Sequence, residues 1–467
     1  MEVLDWAGIP FDEGPGRDGG HGPYVQSERF HLYGEYAEKL VKEGKAYRCF
    51  CSAERLDSLR KTQMKRGLPG MYDRFCLRLN PSQVEERMKA GQPHVIRMKV
   101  PTGSTVVNDT VMGEIKVANN VVDDQVLLKS DKFPTYHLAN VVDDHTMKIT
   151  HVIRGEEWLP STPKHLMLYD MFGWKAPAFI HLPLLLNTDR SKLSKRQSHT
   201  SVNWYRDQGY MPEAVINFVA LLGWNPGNDD YQEIFTLPEL LQKFSIAQVN
   251  KSGAIVNLAK LDWLNSQHVR LMAKSNPKLL LERIRPYVDQ KLSAAASLAS
   301  NNTAAAKSTD FDGDLMIQVI ASMEEGRFNT LPELVDRTLL FFIAPNHASE
   351  VSQAYLQSIA KPHSAQVLSA IIKALKARAS AQEPWNAEAA SVLLKTVLEE
   401  LKPVIKGIKK PDVFQVSRYA MAGISDGPEV PVMMGLVGIE KSLVRFESAL
   451  PHIKALHTTP PPRQESL

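Results

Sequence analysis

Residues 149–196 read ITHVIRGEEWLPSTPKHLMLYDMFGWKAPAFIHLPLLLNTDRSKLSKR, with apolar runs at 149–153 and 180–186 on either side of a helically spaced stretch, Thr162–Phe172. Strand, helix and strand at that interval predict a βαβ unit, and so a parallel sheet. The second run leads directly into Asp189-Arg190-Ser191-Lys192-Leu193-Ser194-Lys195-Arg196. A loop beyond the carboxyl end of a parallel strand is where α/β enzymes place ligand-binding groups. Two lysines three apart, with a serine between them, can converge on a polyphosphate and offset the charge that builds as its chain is cleaved. Alone, K-x-S-K is more often a solvated basic turn, so its surroundings decide the reading.

Outward from this segment the chain divides into regions. Residues 1–30 are rich in glycine and proline and read as a loop leading into a helix near Ser27. Residues 31–134 mix helical spacing with strands such as 95–100, where apolar and polar residues alternate. Residues 135–187 hold the βαβ pattern, and 188–270 the lysine loop with the start of a helical part. From 271 to 467 the pattern is helical, with Val392, Leu393, Val397, Leu398 and Leu401 as one amphipathic example. The alanine- and serine-rich stretch 293–309 reads as a loop insertion or linker, and the proline-rich end as a disordered tail.

Bulk properties set limits without choosing a function. At 467 residues, several domains are expected. The chain is 43% hydrophobic and 23% charged, ordinary for a globular protein, and no apolar run reaches the ~18 residues of a membrane span. A net charge of +3 neither requires nor excludes a nucleic-acid partner, because RNA binding needs only a local basic face. The cysteines, Cys49, Cys51 and Cys76, are few and odd in number, which argues against a disulfide framework. The first residues resemble neither a secretory signal nor a transit peptide.

Further blocks give the lysine loop its context. They are Gly22-Pro23-Tyr24-Val25-Gln26-Ser27-Glu28-Arg29, Tyr136-His137-Leu138-Ala139-Asn140-Val141-Val142-Asp143-Asp144, Arg154-Gly155-Glu156-Glu157-Trp158, Ser198-His199-Thr200-Ser201 and Lys260-Leu261-Asp262-Trp263-Leu264-Asn265. With Lys192-Leu193-Ser194-Lys195-Arg196 they resemble, in order, the glutamyl branch of the class I aminoacyl-tRNA synthetases, bacterial and mitochondrial type. The resemblance spans most of residues 1–270 and weakens beyond. It implies an α/β fold: a class I Rossmann-type catalytic domain, an inserted α+β domain gripping the tRNA acceptor end, and an all-α anticodon-binding region.

The implied chemistry has two steps. Glutamate and ATP, with Mg2+, give glutamyl-adenylate and pyrophosphate, and the glutamyl group then passes to the terminal ribose of tRNA(Glu). A guanidinium such as that of Arg154 suits a planar carboxylate. Tyr136 and Asn140, four apart on a helix, point the same way. By resemblance the segment Tyr136, His137, Leu138, Ala139, Asn140 together with Arg154 binds glutamate. Glu157, Trp158 and Leu185 lie around ATP with Lys192, Leu193, Ser194, Lys195 and Arg196, of which Lys192 and Lys195 are catalytic. Trp158 also reads as an ordinary core residue, and Asp143-Asp144 as structural.

Cys49, Cys51 and Cys76 have the spacing of a zinc-binding insert in some family members, with Tyr72 as a fourth ligand in one pattern. The histidine of another pattern is here Arg78. Zinc and three buried free thiols both remain open. No His-Ile-Gly-His-like first signature occurs in the sequence. This leads to the expectation of a chain truncated at its N-terminus and impaired in adenylation, since each lost donor at the reacting phosphate costs about 10²–10³ in rate. A non-catalytic tRNA-binding form is the alternative. Basic residues of the C-terminal region, including Lys402, Lys406, Lys409, Lys410 and Arg418, are candidates for phosphate contacts. The resemblance further implies a monomer, a mitochondrial matrix location with a cytoplasm second, and leaves tRNA(Gln) open as an additional substrate.

Overall fold

The computed structural model describes residues 2–193, 201–227, 231–299 and 311–458. The chain forms two compact units, Met1–Thr200 with Ile216–Asn257, and Ser201–Val215 with Leu258–Leu467. The region read as 188–270 is therefore divided between them.

Among its described residues the first unit holds nine strands: β1 Ala46–Cys49, β2 Val95–Met98, β3 Ser104–Asp109, β4 Gly113–Ala118, β5 Val126–Leu128, β6 His151–Gly155, β7 Ala178–Leu182, β8 Leu185–Leu186 and β9 Ala254–Ile255. β6 and β7 pair in parallel, Val152 opposite Phe179 and Arg154 opposite His181, and the helix Thr162–Phe172 connects them. This is the expected βαβ unit. The helix carries Pro163 in its first turn and stops at Gly173, whose φ of 72° suits glycine at a left-handed cap.

Two strand expectations shift. The first strand begins at His151, because Ile149 still donates its N–H to the Asp144 carbonyl at the end of the helix Tyr136–Thr146. The run 180–186 is not one buried strand. Pro183 has no N–H for a ladder, so β7 ends at Leu182 and β8 pairs instead with β9, leaving Leu185 40% exposed.

The β3–β4 hairpin, read as part of the insert, joins the βαβ sheet through Asp109 opposite Phe179, giving the order β4-β3-β7-β6. Strands β1, β2 and β5 form a separate antiparallel sheet. Both sheets contribute to one core, in which Ile96, Met98 and Phe179 meet Tyr33, Leu40, Leu138, Val142 and Leu168. Asp143 accepts from Arg29 at 2.8 Å and from the Tyr33 hydroxyl at 2.8 Å, tying the helix Phe30–Lys42 to the helix Tyr136–Thr146. This is a structural role for Asp143.

The second unit has no strand among its described residues. Its helices include Leu258–Ser275, Pro277–Ala299, Leu331–Phe342, Ser364–Ser380, Ala387–Leu401, Lys410–Ala422, Val430–Val437 and Ile439–Thr458, around a core containing Leu334, Ile371, Leu394, Tyr419 and Phe446. In Ala387–Leu401 the buried stripe is Leu393, Leu394, Val397, Leu398 and Leu401, while Val392 lies 54% exposed. The stretch 293–309, read as a linker, begins instead inside the helix Pro277–Ala299, as its alanine content permits. Its remainder and the proline-rich end lie outside the described residues.

Candidate active site

The site grows from four elements of the βαβ sheet and its helices. Tyr136, His137 and Asn140 come from the first turns of Tyr136–Thr146, and Arg154 from β6. Thr162 and His165 come from Thr162–Phe172, and His181 from β7. Arg154 is half-buried and sits at the centre. Its Nε–H donates to His181 Nε2 at 3.0 Å, and its terminal nitrogens donate to Thr162 Oγ1 at 2.9 Å and to His165 Nδ1 at 3.3 and 3.4 Å.

Those bonds fix the histidine protons. His165 accepts at Nδ1, so its proton is on Nε2, which donates to His137 Nδ1 at 3.0 Å. His181 accepts at Nε2, so its proton is on Nδ1, 2.6 Å from Asp109 Oδ2. Burial first, and then the Arg154 charge, push His165 down to about 2. Burial, Lys164 and Arg154 push His137 down to about 4. Burial and the neighbouring Asp143 push Asp144 up to about 6. Asp109 lies below the usual carboxylate range: burial raises it, but the Met112, Val111 and His181 N–H groups and the His181 ring outweigh that.

Among the described residues, no carboxylate lies within ion-pair distance of Arg154. Its hydrogen-bond partners are a hydroxyl and two imidazoles, both of them accepting through an unprotonated nitrogen. No described counter-ion offsets its charge, and with four N–H groups engaged it keeps one on Nη1 to donate to an anion. Asn140 Oδ1, beside His165, is buried and has no partner among the described residues. Trp158, 38% exposed, packs its ring against Tyr136 at 4.7 Å between centroids, which removes the core reading of this tryptophan.

The remaining sequence candidates separate. Leu138 and Ala139 are buried in the core of the unit. Glu157 is exposed, its carboxylate folded over Gly155. Lys192 is exposed and bridges Leu186, at the base of a turn closed by the Asn187 N–H bond to the Ser191 carbonyl and by Asp189 accepting from Ser191. Leu193 donates its N–H to the Leu185 carbonyl. Ser194, Lys195 and Arg196 lie outside the described residues. Sequence reasoning missed Asp109, Thr162, His165 and His181; the available signal was His181 standing alone inside an apolar strand.

The cysteines converge as their spacing suggested. Cys49, Cys51 and Cys76 place their sulfurs within 4.8 Å of one another. The Tyr72 hydroxyl lies 3.3 Å from Cys49 Sγ and 3.4 Å from Cys51 Sγ. Three sulfurs and one phenol oxygen make four donors, the number a closed zinc site needs, so the residues fit the ion. The hydrogen bond from Cys76 leads the causes that pull Cys49 down to about 4. Arg78 turns its guanidinium to the Asp73 carbonyl and takes no part.

Residues 1–263 match the family described as tRNA synthetases class I (E and Q), catalytic domain, and residues 279–450 match an anticodon binding domain. The chain is similar to the glutamate–tRNA ligase of Fusobacterium nucleatum, 40% identical over 96% of this chain and 86% of the relative. It is equally similar to that of Thermus thermophilus, 40% identical over 96% of this chain and 88% of the relative. Among solved structures, a glutamate tRNA ligase from Elizabethkingia meningosepticum in complex with its amino acid superposes with a TM-score of 0.78. It is 33% identical and matches 97% of this chain and 88% of its own.

Proposed function

The chain belongs to the glutamate–tRNA ligase family, and we propose that Arg154 holds the side-chain carboxylate of L-glutamate while the α-carboxylate attacks the α-phosphate of ATP. A carboxylate paired with a guanidinium is a poor nucleophile, so the arginine suits the carboxylate that does not react. The attack releases pyrophosphate and forms glutamyl-adenylate. The terminal ribose of tRNA(Glu) then takes the glutamyl group and AMP leaves. The observation that carries this reading is the half-buried Arg154 with no described ion-pair partner. Glutamine, with a neutral amide in place of the second carboxylate, cannot answer that charge.

Lys192 is assigned to the phosphates of ATP, with Lys195 and Arg196 beside it. Mg2+ accompanies ATP, as in class I synthetases generally. The helical unit holds the anticodon arm, and Lys402, Lys406, Lys409 and Lys410 are exposed there. Arg418 instead donates to the Pro428 carbonyl and serves the fold.

The test is transfer of labelled glutamate to tRNA, with glutamine as the control amino acid. Lys192→Ala is expected to lower the rate about 10²–10³-fold relative to the unsubstituted chain, the usual cost of one group that stabilises developing charge. Equal use of glutamine would remove the Arg154 assignment, and an unchanged rate in Lys192→Ala would remove the lysine's. Run with tRNA(Glu) and tRNA(Gln), the assay also decides whether one or both are substrates. The relatives above are bacterial, so a bacterial cytoplasm stands beside the mitochondrial matrix, and cell fractionation chooses between them.

Cys49, Cys51, Cys76 and Tyr72 form, in this reading, a structural zinc site joining β1 to the turn Phe75–Arg78. When bound, the ion would crosslink two segments otherwise held by weak sulfur hydrogen bonds. Protein purified without chelator is expected to contain zinc in a one-to-one ratio by mass spectrometry and to lose it in Cys76→Ser. Metal-free protein with all its thiols titratable would support the free-thiol alternative.

A further inference from the structure

We propose that Asp109 and His181 are positioning residues for glutamate recognition, setting the orientation of the Arg154 guanidinium through a carboxylate–imidazole relay. The inference rests on the assignment of Arg154 to the substrate carboxylate and extends it to two residues that touch no substrate.

The geometry is a chain of directed hydrogen bonds. Asp109, 5% exposed at the end of β3, accepts at Oδ1 from the Val111 and Met112 N–H groups at 3.0 and 2.8 Å. Its Oδ2 accepts from the His181 backbone N–H at 3.1 Å and faces His181 Nδ1 at 2.6 Å. Bound by backbone on one side, this carboxylate cannot turn, and it holds the imidazole proton on Nδ1. His181, fully buried, therefore presents a bare Nε2 to the Arg154 Nε–H at 3.0 Å. With Nε engaged there and the far edge engaged by Thr162 and His165, the plane of the guanidinium is fixed before any ligand arrives. The direction in which the remaining Nη1–H, and the charge behind it, meet a carboxylate depends on that plane.

The relay makes a specific demand. In Asp109→Asn the amide oxygen stays with Val111 and Met112, and the amide NH2 faces His181 Nδ1 while giving up the bond from the His181 backbone N–H. That nitrogen must then accept, so the proton moves to Nε2, and two donors confront each other across 3.0 Å. The logic is that of a catalytic triad whose aspartate is replaced by asparagine and whose histidine takes the wrong tautomer.

The experiment compares Asp109→Asn, His181→Leu, His181→Gln and Arg154→Met with the unsubstituted chain. It measures affinity for L-glutamate and for ATP by calorimetry, thermal midpoint, and the protonation of His181 by ¹⁵N NMR. Asp109→Asn is expected to move the His181 proton from Nδ1 to Nε2. It should weaken glutamate about ten- to a hundredfold, the cost of one directed hydrogen bond lost in a buried site, with ATP affinity unchanged. His181→Leu should match it. His181→Gln should recover most of the affinity, because its amide oxygen can accept from Arg154. Where Asp109→Asn fails to fold, the two His181 variants decide. Equal glutamate affinity in His181→Leu and His181→Gln overturns the proposal. If Arg154→Met abolishes glutamate binding while Asp109→Asn and His181→Leu leave it intact, the relay is wrong and the Arg154 assignment stands. If Arg154→Met binds glutamate normally, both are wrong.

Discussion

Arg445→Met is expected to cost the helical unit about 3–5 kcal/mol, the penalty of breaking a buried, hydrogen-bonded charge. Arg445 is 4% exposed, and no carboxylate pairs with it among the described residues. Its partners are main-chain carbonyls: Leu340 at 2.6 Å, Met421 at 2.8 Å, Ile343 at 3.3 Å and Phe341 at 3.4 Å. These belong to the last turns of Leu331–Phe342 and Lys410–Ala422, where helices leave carbonyls without intrahelical donors. Two helix C-termini thus direct their negative ends at one cation, which suits a charge there. Burial lowers the Arg445 pKa to about 10, so the group stays protonated at neutral pH. Methionine fills similar space and strands four buried acceptors. Arg445→Lys, with three donors on one compact nitrogen, should fall between. Urea unfolding followed by far-ultraviolet circular dichroism measures the difference, and a loss under about 1 kcal/mol in the methionine variant would show that those carbonyls find other donors.

Arg445 also shows why part of this protein was hidden from its sequence. Nothing in Val444-Arg445-Phe446 distinguishes an internal cap from a surface arginine, since the caps lie 24 to 105 residues away. Features that depend on neighbours in the chain were legible. The helix Thr162–Phe172 carries its own start and stop signals in Pro163 and Gly173. Tyr136 and Asn140 face one way because of their spacing, and the cysteines announced a cluster by theirs. Alternation marked β2, but no local signal said that β3 would pair with β7 and not stay with the insert. The split of 180–186 was available from Pro183, and the apolar character of the run concealed it. In the site, Arg154 could be chosen by its chemistry and by family resemblance. Its supports could not, because Asp109 and His181 meet across 72 residues and His137 and His165 across 28. Each is an isolated polar residue until the sheet brings them together.

Acid is expected to weaken the first unit through the histidines around Arg154, and His165→Gln should remove most of that loss. Both His165 and His137 have folded-state values below the ordinary 6.5, about 2 and about 4. A depressed value means that the fold resists protonation, so the stability contribution is complete above 6.5 and is lost as pH falls toward the folded value. For buried His165 the loss is about 1.4 kcal/mol per pH unit, or about 3 kcal/mol between pH 6.5 and 4. His137 is more exposed and contributes less, because solvent screens it.

Asp144 acts in the opposite direction. Its value is raised to about 6, so its contribution is present at low pH and lost as pH rises through 6; acidification from 6 to 4 returns a comparable amount. The charged and titratable groups acting on His165 are Arg154, His137, Lys164 and His181. All four are cationic when protonated, so none favours its protonation. Unfolding by guanidinium chloride, measured at intervals from pH 7 to 4, should therefore show a modest net decline in the unsubstituted chain. The profile should be nearly flat in His165→Gln and steepest in Asp144→Asn. Three coincident profiles would mean that these histidines can charge within the fold. The wall around Arg154 would then be cationic in acid, and the selectivity for a carboxylate assigned here to a lone guanidinium would have to be shared among several charges.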